Sequence, residues 1–535
     1  MPQLTPTKSF KEERRQAAER KRHLIQNNDG ADARYSCDTA SPEEFLGVYT
    51  SGLKGSRVST ISYCTHIGFG TVSHRSQIAT PLTAKTGSLG KNILGELIQA
   101  GTDPLQIMVD FCRGNDIEIF ASFRMNDIHD SDVNPDGTLY CPEFFSPWKH
   151  AHPDYLLGEY GQMLPYYNHL GNQRGWSGAD YGIEAVRDYM FSVIEEVCLN
   201  YDVDGIELDF MRHPQFFKSH VCDGKAEDKD RAVMSQFVAR LRQMTEKVGM
   251  SRGRPLLVAI RTPDSVGFCR DIGLDIEHWM QKDYFDLFIP GGYIQMRQWA
   301  DSVELGHRYG IPVYPALEES RFIDLEDGFD RNTLETYRAR TANVWSSGAD
   351  GVYLFNAIYL FEPDHPAYRE LGDPQALKHK DKTYYISYLS TALLDGFLKG
   401  SMDRHMLMPA LHSKTPEVRH LHPTQHLTVK RGQSAQLPIQ LEDDFSEHVA
   451  GESDVIVLLR VWVDSMIRPG DVQVTVNDEP LAQGNLDGHV PEYRVDPSIL
   501  HRGMNNIGFS SAHDSSSDLV ICDAQVRVSY QKTGG

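Results

Sequence analysis

The segment from residue 204 to residue 214 reads DGIELDFMRHP, and it constrains the fold more than any other part of the chain. Its apolar residues alternate, which predicts a strand with Glu207 and Asp209 together on the opposite face. Residues 180–199 carry apolar side chains at helical spacing, and the Asp-Gly pair that follows supplies a break. A helix followed by a strand that ends in acidic residues is typical of a (β/α)8 barrel, whose active site lies at the carboxyl ends of the strands.

Eight strand candidates recur along the first two thirds of the chain, most of them followed by a helical pattern. They are residues 23–29, 58–64, 117–126, 205–210, 256–262, 285–291, 311–319 and 351–356. Helices are predicted between them at 230–248 and 332–347, the latter ending before Gly348, where a C-cap glycine is expected. Alternating strands and helices imply a parallel sheet, and eight such units imply its closure, so the predicted fold is a (β/α)8 TIM barrel.

The remainder of the chain predicts a second, all-β unit. Residues 423–535 contain period-two segments separated by Gly, Asn, Asp and Pro, which indicates a C-terminal β-sandwich. We expect residues 1–22 to form a charged helix, 23–371 the barrel, and 372–422 a connecting segment with a helical run around 384–398. No aromatic cluster stands out in the sandwich, so we expect it to brace the barrel.

Charge limits the classes of partner. The formal net charge is −21, whereas nucleic acids and anionic membrane surfaces call for basic patches. We therefore expect no nucleic acid or membrane partner; the oligomeric state stays open. The eight cysteines form no CxxC pair, which indicates free thiols, and no phosphate-binding glycine loop, HExxH or GxSxG motif is present. We expect no cofactor.

The N-terminus has no apolar core of the kind that a secretory signal needs, and no segment is long enough to span a bilayer. We expect a cytoplasmic protein, or a secreted or periplasmic one from which a signal peptide has been removed.

Polar side chains gather where the predicted strands end. They are Arg124 and Asn126 on strand three, Glu207, Asp209, Arg212 and His213 at strand four, Arg261 at strand five, Tyr293 at strand six, Glu318 and Glu319 at strand seven, and Asn356 at strand eight. Carboxylates on strands four and seven can face each other across a barrel mouth. Glycoside hydrolysis needs this arrangement, because one carboxyl must donate a proton while the other stays ionised.

We therefore predict Asp209 and Glu318 as the catalytic pair, with Glu207 as the alternative acid. The simpler alternative for Asp209 is a structural ion pair with an arginine, and support of Asp209 is as good a role for Glu207 as proton transfer. The predicted substrate contacts are Arg124, Asn126, Arg212, His213, Arg261 and Tyr293. His129 is a further candidate for a sugar hydroxyl, and Trp148 and Trp176 for stacking on sugar rings, with loop bonding or core packing as the alternatives.

A calcium-loop pattern falls within residues 132–143. Asp132, Asn134, Asp136 and Glu143 match the spacing D-x-[DN]-x-[DN]-G-x5-E. Neither flank has a helical pattern, and Pro142 precedes the proposed bidentate ligand. We therefore expect no metal site here.

Over about residues 24–360 the chain resembles the family-10-like glycosyl hydrolase TIM barrels. The resemblance lies in Asn27-Asn28-Asp29-Gly30, in FASFRMND after strand three, and in YDVDGIELDFMRHP at strand four. It implies a glycan-cleaving barrel with Asp209 as its main catalytic carboxylate.

The strand-four motif is also similar to those of two other barrel groups. Chitinase-like barrels carry DGxDxDxE, and this chain matches it at Asp204, Glu207 and Asp209 but has Met211 in place of the acid. α-Amylase-like barrels place their nucleophilic aspartate where Asp209 stands and an arginine where Glu207 stands.

The sequence thus predicts a glycoside hydrolase that cleaves an O-glycosidic bond in an oligo- or polysaccharide by a two-carboxylate mechanism. Two alternatives stay open. One is a carbohydrate-binding barrel without catalysis, which the methionine at position 211 allows. The other is a glycan lyase working from the arginine-rich rim.

Overall fold

The structure is a computed structural model, and it describes most of the chain. The described residues are 8–30, 32–164, 175–291, 295, 297–318, 332–386, 427–446, 455–463, 471–482, 484–487, 490–511 and 518–530.

Eight parallel strands form a barrel. They are β1 (Leu24–Asn28), β2 (Val58–Gly68), β3 (Glu118–Arg124), β4 (Gly205–Asp209), β5 (Leu257–Thr262), β6 (Leu287–Pro290), β7 (Ala316–Glu318) and β8 (Val352–Phe355). Their hydrogen-bonded order is β6-β5-β4-β3-β2-β1-β8-β7, and a parallel bridge between Phe288 and Val313 joins the two ends of this path. Two short strands, Thr71–Val72 and Thr80–Pro81, extend the sheet beside β2. The predicted (β/α)8 barrel is confirmed.

One helix precedes β1, and helices that follow the barrel strands cover the outside of the sheet. They are α1 (Lys8–Ala18), α2 (Asp32–Ser36), α3 (Pro42–Tyr49), α4 (Leu94–Gln99), α5 (Pro104–Gly114), α6 (Pro147–Ala151), α7 (Glu184–Asn200), α8 (Lys218–Asp223), α9 (Asp228–Arg252), α10 (Val266–Asp271), α11 (Ile276–Gln281), α12 (Trp299–Arg308), α13 (Leu334–Ser346) and α14 (Ala367–Glu370). Short 3-10 helices lie at Ser51–Leu53, Gly87–Leu89, Pro142–Phe144, Pro153–Tyr155, Ala357–Tyr359 and Pro497–Ile499. In the described part of the chain, no helix has the length and apolar character needed to cross a membrane.

The predicted helix positions and their ends follow local sequence signals. The helices expected at 180–199, 230–248 and 332–347 are α7, α9 and α13. The side chain of Thr333 accepts a hydrogen bond from the Thr336 amide at the start of α13. After α13, Gly348 has a φ of 83°, so the predicted C-cap glycine is confirmed.

The inside of the barrel changes from apolar to charged along the strands. Near the strand starts, the Phe120 ring lies against Gly205, where a Cβ atom would come within 2.7 Å of it. Gly205 therefore leaves the space that this aromatic ring fills in the barrel core. One level higher, Ser122 pairs with Glu207, and at the strand ends Arg124 pairs with Asp209. Above the level of Phe120, the inside of the barrel is thus polar towards the carboxyl end.

Two antiparallel sheets form the C-terminal β-sandwich. Their strands are β9 (Lys382–Tyr385), β10 (Leu427–Val429), β11 (Ser434–Leu441), β12 (Val455–Val463), β13 (Val472–Val476), β14 (Glu479–Pro480), β15 (Asn485–Asp487), β16 (Val490–Val495), β17 (Gly503–Ser511) and β18 (Leu519–Tyr530). One sheet has the order β9-β18-β12-β16-β15 with β10 beside β18, and the other has β11-β17-β13-β14. Alternating apolar residues of both sheets build the core between them.

The helical run predicted around residues 384–398 is wrong at its start. Tyr384 and Tyr385 lie in β9, which pairs antiparallel with β18 along residues 525–528. Pairing with a distant strand outweighs the local helical pattern here. Residues 387–398 lie outside the described residues.

The sandwich packs against helix α13 of the barrel. Ala339 of α13 belongs to the sandwich core, and the Asn343 side chain donates to the Gln440 carbonyl over 3.4 Å. The Gln440 side chain in turn donates to Ser346 over 3.2 Å. These contacts join the sandwich to the barrel, and its bracing role stays a prediction.

Candidate active site

Three barrel strands end side by side in charged residues. The register pairs Arg124 of β3 with Asp209 of β4, and Asp209 with Arg261 of β5. Because side chains of paired residues in neighbouring strands point to the same face of the sheet, all three enter the barrel at one level. The carboxyl end of the barrel therefore has an arginine on each side of Asp209.

Arg261 joins two carboxylates that come from different parts of the barrel. One guanidinium nitrogen donates to Asp209 Oδ1 over 3.0 Å, and the other contacts the Glu318 carboxylate at the end of β7. The guanidinium also lies 4.1 Å from the centre of the Phe355 ring. All three charged side chains are buried. The structure thus brings the predicted pair, Asp209 and Glu318, to one shared cation.

The two oxygens of Asp209 have different surroundings. Oδ1 accepts from the amides of Met211 and Arg212, over 2.9 and 3.1 Å, as well as from Arg261. Among the contacts of the described residues, none involves Oδ2. Asp209 is therefore held in a fixed orientation through one oxygen.

Glu207 lies one level deeper and is enclosed by hydroxyl groups. Its carboxylate accepts from Ser62 over 2.8 Å, from Ser122 over 2.7 Å and from Tyr353 over 3.1 Å. Burial, together with the charge of Asp209, raises the pKa of Glu207 to about 7. Because both of its oxygens accept hydroxyl hydrogen bonds, this geometry favours a supporting role for Glu207 over direct contact with a substrate.

A second charged network lies beside Asp209. Asp127 accepts from Arg124 over 3.1 Å and bonds to His129 Nδ1 over 2.6 Å, while His129 Nε2 lies 2.6 Å from an Arg212 guanidinium nitrogen. Asp29, after β1, contacts Arg124 on its other side. Burial alone would raise the pKa of Asp127, but the hydrogen bond from His129 and the charge of Arg124 hold it well below its usual range.

His213 is held within this network in an uncommon backbone conformation. Its φ is 55°, in the left-handed region that favours glycine, and its Nδ1 accepts from the Ile128 amide over 3.3 Å. Burial and the neighbouring arginine Arg212 lower the pKa of His213 well below its ordinary value, and the same two causes lower that of His129. Both imidazoles are therefore neutral near pH 7.

One group of described residues offers three metal-ligand side chains. Atoms of Asp127, His129 and His213 all lie within 4.8 Å of one another, and two neutral imidazoles with a carboxylate suit zinc or a similar transition metal. Both ring nitrogens of His129 are already hydrogen-bonded, however, and the guanidinium of Arg212 stands at one of them. The cluster therefore fits a hydrogen-bonded ion network better than it fits a cation.

The remaining predicted contacts fall in different places. The Asn126 amide donates to the carbonyls of Ala179 and Gln215, over 2.9 and 2.5 Å, and its oxygen accepts from the Ala179 amide. It therefore shapes the loops instead of facing a ligand. Arg212 is only half-buried and lies at the rim. Tyr293 and Glu319 lie outside the described residues.

The calcium-loop residues do not converge. Residues 133 and 139 form an antiparallel bridge, so the segment is a hairpin. Asp136 accepts from Thr138 over 2.7 Å, and Glu143 accepts from Thr86 over 2.6 Å. A calcium loop would turn these carboxylates towards a common centre.

Several residues of the site were not predicted from the sequence. Asp29 and Asp127 each follow a strand within a polar run, which is a usable signal, although neither stood out from its neighbours. The hydroxyl partners of Glu207, which are Ser62, Ser122 and Tyr353, give no signal along the chain because only the barrel register brings them together.

Comparisons with known proteins return only distant similarities. No family model matches the sequence, and no curated protein matches it. Among solved structures, an α-L-fucosidase isoenzyme 2 from Paenibacillus thiaminolyticus is similar over 66% of this chain and 49% of its own, with 13% identity and a TM-score of 0.39. A cycloisomaltooligosaccharide glucanotransferase from Paenibacillus sp. is similar over 95% of this chain and 57% of its own, with 9% identity and a TM-score of 0.36.

An α-amylase from Anoxybacillus is similar over 97% of this chain and 99% of its own, with 11% identity and a TM-score of 0.34. This chain spans about half the length of the first two structures. All these TM-scores lie below 0.5, so the similarity carries no argument about activity.

Proposed function

We propose that this protein is a glycoside hydrolase that cleaves an O-glycosidic bond in an oligo- or polysaccharide. The observation that carries the proposal is the meeting of Asp209 and Glu318 at Arg261, at the carboxyl end of a (β/α)8 barrel. Active sites of this fold lie at that end, and a pair of carboxyl groups is the machinery of glycoside hydrolysis.

Asp209 is suited to the role of the ionised carboxylate. Three donors hold Oδ1, while Oδ2 makes no hydrogen bond or ion pair with the described residues and can attack a sugar carbon or activate a water molecule. The Arg261 guanidinium stabilises the charge without blocking that oxygen.

Two carboxyls compete for the role of proton donor. Glu318 is the partner expected from its position on β7, but the adjacent Arg261 favours its ionised form. Glu207 has the pKa suited to a general acid, about 7, yet its oxygens are engaged by hydroxyls. If Glu318 is the donor, Glu318→Gln removes the alkaline limb of the pH profile; if Glu207 is, Glu207→Gln does so.

Substrate contacts belong to the partly exposed side chains of the rim. Arg212 and His129 form such a pair, and their hydrogen-bonding groups suit sugar hydroxyls. Arg124 and His213 lie deeper and position this pair through Asp127. Tyr293 stays a predicted contact.

A carbohydrate-binding barrel without catalysis is the second candidate. The observation in its favour is that Arg261 neutralises the predicted catalytic carboxylates, as in a purely structural ion network. A glycan lyase is distinguished by its product, since elimination leaves an unsaturated sugar and hydrolysis does not.

The proposal is tested by incubating wild-type protein and Asp209→Asn with a panel of plant, algal and bacterial glycans and measuring released reducing ends. Release by wild type alone supports hydrolysis through Asp209. Binding of a glycan with no release by either protein contradicts it and favours the binding barrel.

A further inference from the structure

A cavity of about 570 Å³ lies outside the barrel mouth, among the loops between β3 and α7 and beside the start of α8. Its wall contains the aromatic side chains Phe145, Tyr160 and Trp176, and the rest of its lining mixes apolar and polar groups. Concave sites of this size, lined by aromatic residues with a few polar groups, are typical of small-molecule binding.

Tyr160 is a rigid aromatic ring that faces solvent at this cavity. Its side chain is 58% exposed, although large aromatic residues normally bury most of their surface. Its hydroxyl donates to the Gly137 carbonyl over 3.0 Å, and its ring centre lies 4.9 Å from that of the buried Trp176. The ring is therefore held in place while one surface stays uncovered, as a stacking platform requires.

The lining of the cavity has no excess of positive charge. Its lining contains two lysines, Lys149 and Lys218, and two acidic residues, Asp154 and Glu159. Lys149 is moreover neutralised by Asp130, to which it donates over 2.6 Å. Because Asp130 is not part of the lining, Lys218 is left against the two acidic residues, and a lining without excess positive charge disfavours an anionic ligand.

One wall of the cavity is bonded to the segment that carries the candidate active site. Lys149 donates to Asp130, and the Trp176 indole donates to the Ser131 carbonyl over 2.9 Å. A few residues earlier, the same segment places Asp127 and His129 in the network at the barrel mouth. Residues 127–131 thus take part both in the network at the barrel mouth and in the contacts of the cavity wall.

We propose that this cavity is a binding subsite for an uncharged sugar unit of the substrate, stacked on Tyr160, at a distance from the bond that is cleaved. The apolar C–H face of a pyranose ring fits an aromatic surface, and its hydroxyls fit the polar groups beside it. The inference rests on the proposed glycoside hydrolase function and adds the substrate class, a glycan long enough to reach from the barrel mouth to the cavity.

The test is calorimetric binding in an Asp209→Asn background, which prevents turnover. The probes are the uncharged hexasaccharides maltohexaose, cellohexaose, xylohexaose, laminarihexaose and chitohexaose, with hexagalacturonate as the charged probe. Tyr160→Ala is compared with Tyr140→Ala, a control at a tyrosine that is 69% exposed nearby but does not line the cavity. Tyr160→Phe keeps the ring, and the thermal unfolding midpoint of each variant monitors the fold.

The expected result is that an uncharged hexasaccharide binds, and that Tyr160→Ala weakens its binding about ten-fold while Tyr140→Ala and Tyr160→Phe leave it within about two-fold. The inference is overturned if no uncharged hexasaccharide binds, if Tyr160→Ala binds as tightly as Tyr140→Ala, or if only hexagalacturonate depends on Tyr160.

Failure of the subsite and failure of the proposed function give different results. If wild-type protein cleaves a glycan and Tyr160→Ala changes neither binding nor KM, the subsite is wrong and the hydrolase stands. If binding depends on Tyr160 but wild-type protein cleaves none of the probes or panel glycans, the sugar site stands and the hydrolase is wrong.

Discussion

Both ends of the barrel contain ion pairs, but the pairs are built differently. At the strand starts, arginines contact three carboxylates, those of Glu118, Asp204 and Asp286. Each of the two aspartates also accepts a hydrogen bond from a backbone amide of the neighbouring strand. At the strand ends, one guanidinium, Arg261, serves two carboxylates.

The pairing of Glu118 at the strand starts is saturated. Arg22 donates to both oxygens of Glu118 and to the carbonyls of Ala17, Ala18 and Arg20. Such pairs fix the register of the strands and leave no group for a ligand. At the strand ends, in contrast, Glu207 has a raised pKa and Asp209 has one oxygen without a described contact. Burial and pairing therefore do not identify a reactive site; incomplete pairing at the carboxyl end of the barrel does.

The largest loss of stability is expected from Arg261→Met. The substitution leaves Asp209 and Glu318 buried without their shared cation, and breaking a buried pair costs about 3–5 kcal/mol. The free energy of unfolding in urea should fall by that amount at pH 7. A loss below about 1 kcal/mol at pH 7 would contradict the shared-cation arrangement.

Arg22→Met tests the opposite end. We expect a loss of about 3 kcal/mol, because one buried carboxylate, Glu118, is left without its partner. Turnover per folded molecule should stay at the wild-type value, since the strand starts carry no chemistry. Reduced turnover in a fully folded Arg22→Met protein would remove the distinction between the two ends.

Glu207 should give the protein a pH-dependent stability. Its pKa is about 7 in the folded state and about 4.5 in the unfolded state, so between these pH values the folded protein binds more protons than the unfolded chain does. The free energy of unfolding should therefore fall as pH rises from 4.5 to 7, by about 3 kcal/mol for this group. Urea unfolding at pH 4.5 and pH 8 should show this fall in wild type and not in Glu207→Gln. Equal pH dependence in both proteins would assign the shift to another group.

The smallest effect concerns metals. Because both ring nitrogens of His129 are hydrogen-bonded within the protein, a chelator such as EDTA should leave turnover unchanged. Loss of activity on chelation, restored by zinc, would make Asp127, His129 and His213 metal ligands.

Most of the fold could be predicted from the sequence because its signals are local. Alternating apolar residues marked the strands, helical spacing marked α7, α9 and α13, and Gly348 marked a helix end. The strand β9 could not be predicted, since residues 382–385 become a strand by pairing with residues 525–528 far along the chain. Local patterns carry no information about such a distant partner.

The candidate site was predictable in part for the same reason. Strand ends identify Asp209, Arg261 and Glu318 as inward-facing residues, and the structure joins them. The hydroxyl groups that donate to Glu207 come from three different strands. The sequence does not reveal the register of these strands, so partners such as Ser62 and Tyr353 could not be predicted. The cavity at Tyr160 lies among loops, whose apolar residues have no regular spacing. The sequence therefore gives no indication of a binding surface there.

The most direct measurement compares two aspartates that flank the same strand. Asp204 and Asp209 stand at opposite ends of β4, so Asp204→Asn and Asp209→Asn make the same chemical change at the two ends of the barrel. For each variant, kcat on a glycan cleaved by the wild type and the free energy of unfolding in urea would be measured.

We predict that Asp209→Asn lowers kcat by about 10²–10⁴-fold with the fold intact. Asp204→Asn should lower the free energy of unfolding by about 1–3 kcal/mol, because it weakens bonds to Arg113 and Arg254, and should leave kcat unchanged. Wild-type kcat in Asp209→Asn, or a greater loss of kcat in Asp204→Asn, would contradict the placement of the chemistry at the carboxyl end of the barrel.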